Sequence, residues 1–210
     1  MKLKKVAFMH NPLRPLRALA LATFLVLLVA CSGIPLSSMP RLMKLPGQML
    51  NADPAEVMFA VQVDQRLLPT TSGQPMFHID IQPALAGAFE PVQRKLPMQL
   101  TTSSTPAMGL APAAAGRRWM LYRFPAESQA ELGRIQSLFK RLQAERKGAS
   151  GGGGSLSMGI AQDGVVLAPD PAVDGTRWES WLQTSKQEGF YLLWSGTLAE
   201  LKAQERAARK

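Results

Sequence analysis

Val57-Met58-Phe59-Ala60-Val61-Gln62-Val63-Asp64 alternates along its whole length, with Val57, Phe59, Val61 and Val63 on one side and Met58, Ala60, Gln62 and Asp64 on the other. A period of two is the signature of a β-strand, whose successive side chains point to opposite faces of a sheet. The pattern ends at Pro69 and a Ser72-Gly73 turn, and Phe77, Ile79 and Ile81 then alternate with His78, Asp80 and Gln82. These two stretches read as neighbouring antiparallel strands. Leu96, Met98 and Leu100 make a third, in which Pro97 lacks an N–H for the ladder and so favours an edge position or a bulge.

Toward the C-terminus, residues 102–116 carry Thr, Ser, Pro, Ala and Gly with little bulk and read as a loop. Arg117 to Phe124 returns as a strand with Trp119 and Leu121 opposite Met120, Tyr122 and Phe124. The period then changes. Leu132, Ile135, Leu138, Phe139 and Leu142 recur at three- and four-residue spacing, which predicts a helix over about 126–147 with one apolar stripe on the sheet. Ser128 and Glu131 have the spacing of a capping box, and basic residues crowd the far end, where the helix dipole favours them. Beyond a glycine-rich connection at 148–154, Leu156, Met158 and Ile160 alternate, and Val165 to Leu167 reads as the returning arm of a hairpin through Asp163-Gly164. Thr176 to Gln187, with Trp178, Trp181 and Leu182, suggests a short amphipathic helix, and Phe190 to Trp194 a last strand before a charged helical tail. The expected class is α+β, a mainly antiparallel sheet packed by one principal helix at about 126–147. Residues 55–198 form its single domain and residues 199–210 a charged C-terminal tail.

Toward the N-terminus, residues 31–54 are rich in Ser, Pro, Gly and Met and read as a tether that partly docks on the domain. Before them, Lys2, Lys4, Lys5, Arg14 and Arg17 precede an apolar run from Ala18 to Ala30, with no acidic residue before Asp53. That is the basic-then-apolar order of an export signal, and the run is shorter than the roughly 20 residues a membrane-spanning helix needs. It ends in Leu28-Val29-Ala30-Cys31, which resembles the lipobox of bacterial lipoproteins: an aliphatic residue, a tolerant position, a small residue, then cysteine. The resemblance implies that residues 1–30 are a signal peptide, that cleavage follows Ala30, and that Cys31 receives acyl chains such as palmitate and anchors the chain to a membrane. Ser32 in place of aspartate implies, for lipoproteins of two-membrane bacteria, transfer to the outer membrane, on its periplasmic face. Two lipid chains suffice for stable anchoring. A buried free cysteine at the end of an ordinary apolar helix is the other reading of Cys31.

The signal changes what charge implies. The chain carries 24 basic and 15 acidic residues, a net of +9, but five of the basic ones fall in residues 1–30, which leaves +4. A nucleic-acid partner inferred from the overall basicity is therefore not expected. The remaining excess, in Arg134 to Lys147 and Lys202 to Lys210, reads as solvated helix faces or as attraction to anionic headgroups. Cys31 is the only cysteine, so an intrachain disulfide is impossible and the core must hold the fold alone.

Few residues promise chemistry. His78 is the one histidine outside the signal, and its i, i+2 partner Asp80 shares its face of the strand. A hydrolase would use Asp80 to orient His78 as a base, whereas solvated polar positions on a half-buried strand explain the pair equally simply. Gly148-Ala149-Ser150-Gly151-Gly152 matches the spacing of a nucleophile elbow without the required strand before it and helix after it. No catalytic residue, metal site or cofactor is expected. Trp178 and Trp181, three apart on the expected helix, are the candidate contact residues for an envelope protein or glycan, against ordinary burial in the core as the default reading of the chain's tryptophans and tyrosines. Met39, Met43, Met49, Met58, Met76, Met98, Met108, Met120 and Met158 would suit the soft lining of a lipid carrier, or ordinary core. The function expected is a non-enzymatic interaction or assembly module of the cell envelope, with a periplasmic carrier of lipid or another hydrophobic ligand as the alternative.

Overall fold

The computed structural model describes residues 34–70, 73–83, 89–101, 110–146, 154–162, 166–167 and 171–208. Residues 1–30, expected to be a signal peptide and ending in Ala30, lie outside them, as do Cys31 and the 148–152 tract. Within them the fold is α+β. Ten strands and three α-helices follow one another in the chain: α1 (Met39–Asn51), β1 (Met58–Asp64), β2 (Leu68–Pro69), β3 (Met76–Pro83), β4 (Val92–Pro97), β5 (Gln99–Leu100), β6 (Arg117–Arg123), α2 (Ala126–Arg146), β7 (Gly154–Ala161), β8 (Val166–Leu167), β9 (Arg177–Gln183), β10 (Tyr191–Thr197) and α3 (Leu198–Ala208). All strand pairs are antiparallel.

The alternation at 57–64 makes β1, the middle strand of a five-stranded sheet ordered β10-β9-β1-β6-β5. Its neighbour is not β3. The second alternating stretch instead centres a separate three-stranded sheet, β4-β3-β7, and β2 with β8 forms a short ladder. Alternation identifies a strand and its two faces but carries no information on which strand it pairs with. For the same reason Val166-Leu167 pairs with Leu68-Pro69 rather than closing a hairpin on β7. The stretch around Pro97 serves both larger sheets: β4 pairs with β3, the chain turns through buried Met98, whose N–H donates to the Pro75 carbonyl at 2.9 Å, and β5 pairs with β6. Both segments are edge strands, as the missing N–H of Pro97 requires.

Apolar faces of the two sheets meet in one core. Phe59, Val61, Val63, Met120, Tyr122, Trp178 and Leu182 come from the larger sheet, and Phe77, Ile79, Ile81 and Leu96 from the smaller. The Phe77 and Phe124 rings meet edge to face at 5.7 Å, and burial pushes the Tyr122 hydroxyl up to about 12. Helix α2 contributes buried Leu132 and Ile135, with Phe139 at the margin. Ser128 is not its N-cap: it lies inside the helix, and its hydroxyl donates to the Pro97 carbonyl at 2.9 Å. The reciprocal capping box is at Thr197 and Glu200, where the Thr197 N–H donates to the carboxylate and the Glu200 N–H to the threonine hydroxyl, at 2.8 and 3.2 Å. It starts α3, whose Leu198 and Leu201 join the core.

Residues 39–51 form a helix where an irregular tether was expected. Leu42, Leu45 and Met49 recur at helical spacing, Pro40 sits in the first turn, where its missing N–H costs nothing, and Pro46 is carried inside. The gain comes from packing: Met49 is fully buried, and buried Gln136 of α2 donates from Nε2 to the Met49 and Ala52 carbonyls at 2.7 and 2.9 Å. Those carbonyls are at the end of the helix, where no backbone donor remains for them. No helix among the described residues is long and apolar enough to cross a membrane.

The turn after β1 carries an acid-sensitive contact. Asp64 accepts from the Arg66 guanidinium at Nε and NH2 and from the Arg66 N–H, each at 2.9 Å, and these bonds hold its carboxyl down from the ordinary 3.8 to about 2. A carboxyl that binds protons less well when folded stabilises the fold above its unfolded pKa and loses that contribution as pH falls through the folded one. Urea midpoints of the wild type should therefore fall more steeply than those of Asp64→Asn between pH 3.8 and about 2. Parallel curves would refute the assignment.

Candidate interaction surface

Cross-strand partners share a face, so the register of the five-stranded sheet specifies what lies on the side away from the core. Ala60 is opposite Leu121 on one side and Trp181 on the other; Gln62 is opposite Trp119 and Glu179; Trp181 is opposite Leu192. Met58, Trp119, Leu121, Trp181 and Leu192 thus gather around Ala60 on the outer face. All five are half-buried, and beneath them Ala60 is 0% and Gln62 5% exposed. None belongs to the core cluster or its margin, to which all three helices contribute. The helices sit on the other side.

The Trp119 and Trp181 rings lie edge to face, centroids 5.9 Å apart at 76°. Trp119 donates from Nε1 to the Ala111 carbonyl at 3.0 Å, whereas the Trp181 indole N–H is buried with no acceptor among the described residues. An unsatisfied buried donor costs about 1–3 kcal/mol. At one margin, Arg117 pairs with Glu179 at 3.5 Å, both 14% exposed, and donates to the Gln62 carbonyl at 2.6 Å. Arg177 completes the cluster, 2.7 Å from Glu179 and 3.0 Å from the Ser195 hydroxyl. Chemically this is an aromatic and aliphatic patch with a charged rim, able to bury apolar area against a partner and to align it by hydrogen bonds and charge.

Trp178 and Trp181, expected on one helix face, are parted by the structure because the segment is strand β9. Three-residue spacing puts side chains together on a helix and on opposite faces of a strand. Trp178 points into the core, 1% exposed, its Nε1 donating to Gln162 Oε1 at 2.9 Å and to the Ser180 hydroxyl at 3.0 Å; that hydroxyl in turn donates to Gln162 at 2.7 Å. The residue that joins Trp181 is Trp119. Alternation in 117–124 already separated Trp119 and Leu121 from the core-facing residues, and only the register with β1 was missing.

His78 and Asp80 share the polar face of β3, where His78 stands opposite Lys95 and Gly159. The Asp80 carboxylate accepts from Gln82 Nε2 at 2.6 Å and Gln93 Nε2 at 3.4 Å. Among the described residues no three side chains of metal-binding type come together. The methionines divide: Met49, Met98 and Met120 are core, Met58, Met76 and Met158 half-buried, Met39 and Met43 exposed, and Met108 outside the described residues. Two surface grooves are open to solvent, one along α2 at Ala130, Gly133, Arg134, Ser137, Leu138 and Arg141, the other between Phe89–Arg94 and the α2 residues Leu138 and Leu142.

No family model matches this chain, and neither the curated proteins nor the solved structures contain a match to it.

Proposed function

We propose that this chain is an outer-membrane lipoprotein, cleaved after Ala30 and held by acyl chains on Cys31, whose domain is a non-enzymatic interaction module for a protein of the envelope. The observation that carries the reading is the outer face of the five-stranded sheet, with two tryptophans, one of them with no acceptor for its N–H among the described residues, and an Arg–Glu rim. Buried aromatic anchors flanked by arginine are the composition of binding hot spots. A protein suits this face, because tryptophan and arginine together are the residues in which protein interfaces are enriched, and Arg117 and Arg177 stand at its rim.

A photoreactive amino acid at Leu121, introduced in the full chain in intact envelopes, should give one defined protein adduct. Trp119→Ala and Trp181→Ala should each reduce that adduct about tenfold or more, on the scale of 2 kcal/mol for a hot-spot residue. Absence of an adduct, or an adduct indifferent to both substitutions, would defeat the reading. Labelled palmitate should mark the wild type and not Cys31→Ala; label on the variant would refute the anchor.

A further inference from the structure

The described chain begins on an apolar surface. Ile34, Leu36, Met39 and Met43 are 45%, 87%, 44% and 82% exposed; the other large hydrophobics with comparable exposure, Leu68 and Leu100, stand elsewhere and singly. Leu36 opens a 3-10 turn, Leu36–Ser38, that runs directly into α1. Side chains three apart align in a 3-10 turn and those four apart align in an α-helix, so Leu36, Met39 and Met43 form one stripe.

The stripe is not a helix face awaiting the core. The adjoining face of α1 already supplies Leu45 and Met49 to it. One flank is also engaged: Arg41 lies over the Tyr191 ring at 5.3 Å, and Gln48 Nε2 donates to Glu188 at 3.0 Å. Gln136 holds the far end of the helix. The helix is thus clamped to the domain while its remaining face offers thioether and aliphatic side chains to solvent.

Two observations identify what covers it. Cys31 precedes Ile34 by three residues, a reach of at most about 11 Å at 3.6 Å per residue. Charge agrees, since Lys44 is exposed on this helix and no acidic residue occurs before Asp53. We infer that the Ile34, Leu36, Met39 and Met43 face rests in the surface of a lipid bilayer beside the acyl chains of Cys31, with Lys44 toward anionic headgroups. The inference rests on the lipoprotein reading proposed above. Acyl chains that enter a bilayer about 11 Å from Ile34 bring this face to the interface, where apolar side chains sink among the headgroups and a basic flank is attracted. The domain is then docked with a fixed side down, rather than swinging on a leash.

The test uses the single cysteine to advantage, because acylation of Cys31 leaves Met43→Cys as the one free thiol. The full chain, purified acylated from envelopes, is labelled there with an environment-sensitive fluorophore and reconstituted into phosphatidylethanolamine–phosphatidylglycerol vesicles. Ser157→Cys, exposed on the smaller sheet, is the reference. The position-43 probe should shift to the blue, brighten several-fold and be quenched by spin-labelled lipid, while the position-157 probe stays aqueous. Equal, aqueous spectra from an acylated protein would overturn the inference alone; an intact mass showing unmodified Cys31 would overturn the lipoprotein reading and this inference with it. Shielding before vesicles are added, with disulfide-linked dimers of unlabelled Met43→Cys, would assign the face to a second copy. Shielding in native envelopes but not in pure lipid would assign it to a protein, and either result overturns the bilayer.

Discussion

Trp178→Ala should cost about 3–5 kcal/mol, the range for removing a large aromatic side chain from a packed interior. Trp178 is 1% exposed on the inner face of β9 near its start, among the largest fully buried side chains of the described residues. Its loss opens a cavity in the core beside Ser180 and removes the indole donor shared by Gln162 and Ser180. No disulfide can offset the loss, because the chain has one cysteine. A change of this size shifts the melting temperature of a domain of this size by on the order of 10 °C. Trp181→Ala is the internal comparison: half-buried, outside the core cluster and with no acceptor for its N–H among the described residues, it should cost far less. Denaturant titrations of the two variants would check this, and equal losses would show that the two faces of β9 have been exchanged.

Gly196→Ala is the second large effect. A Cβ there would lie 2.5 Å from the Trp194 ring carbons Cη2 and Cζ2 and 2.7 Å from the Glu200 carboxylate. Real Cβ atoms do not approach so closely, so something must move. The ring is nearly buried, and the carboxylate is already committed to the Thr197 N–H at the start of α3. Overpacking costs about 1–3 kcal/mol, and losing the cap adds about 1 kcal/mol. The measurement is thermal unfolding together with hydrogen exchange at the N–H of Thr197, which should become unprotected first. Gly116→Ala is a poor substitute for this test, since its positive φ of 72° strains any side chain for a reason unrelated to packing.

These two sites also show what was legible in the sequence. Alternation located β1, β3, β6 and β7, and the three- and four-residue recurrence located α2, because each depends on one segment and its own period. The 177–183 segment was misread as helix because Trp178, Trp181 and Leu182 satisfy helical spacing, while the strand's inward row of Trp178, Ser180 and Leu182 contains a serine that breaks the apolar alternation. That serine is buried because Gln162 accepts its hydroxyl proton, a contact between distant residues. Helix α1 was hidden by Pro40, Pro46 and Gly47, each unfavourable locally and outweighed by burial of Met49 and the Gln136 clamp. The Thr197–Glu200 box was in the sequence, yet Ser128–Glu131 has the same spacing, and only the backbone distinguishes the two. The candidate surface was half legible: Trp181 was singled out, but its companion Trp119 reaches it through β1, and pairing across the sheet is not a local property.

The strand order β10-β9-β1-β6-β5 has a consequence in time. A chain supplied from its N-terminus has β1 complete at residue 64, whereas the strand that flanks it as β9 begins at residue 177. At about 5–20 residues per second of synthesis, the interval is roughly ten seconds, during which the middle of the sheet has no second wall and Phe59 no Leu182 opposite it. The larger sheet is therefore finished only after residue 197 has been made, and until β9 and β10 arrive β1 has β6 as its one neighbour.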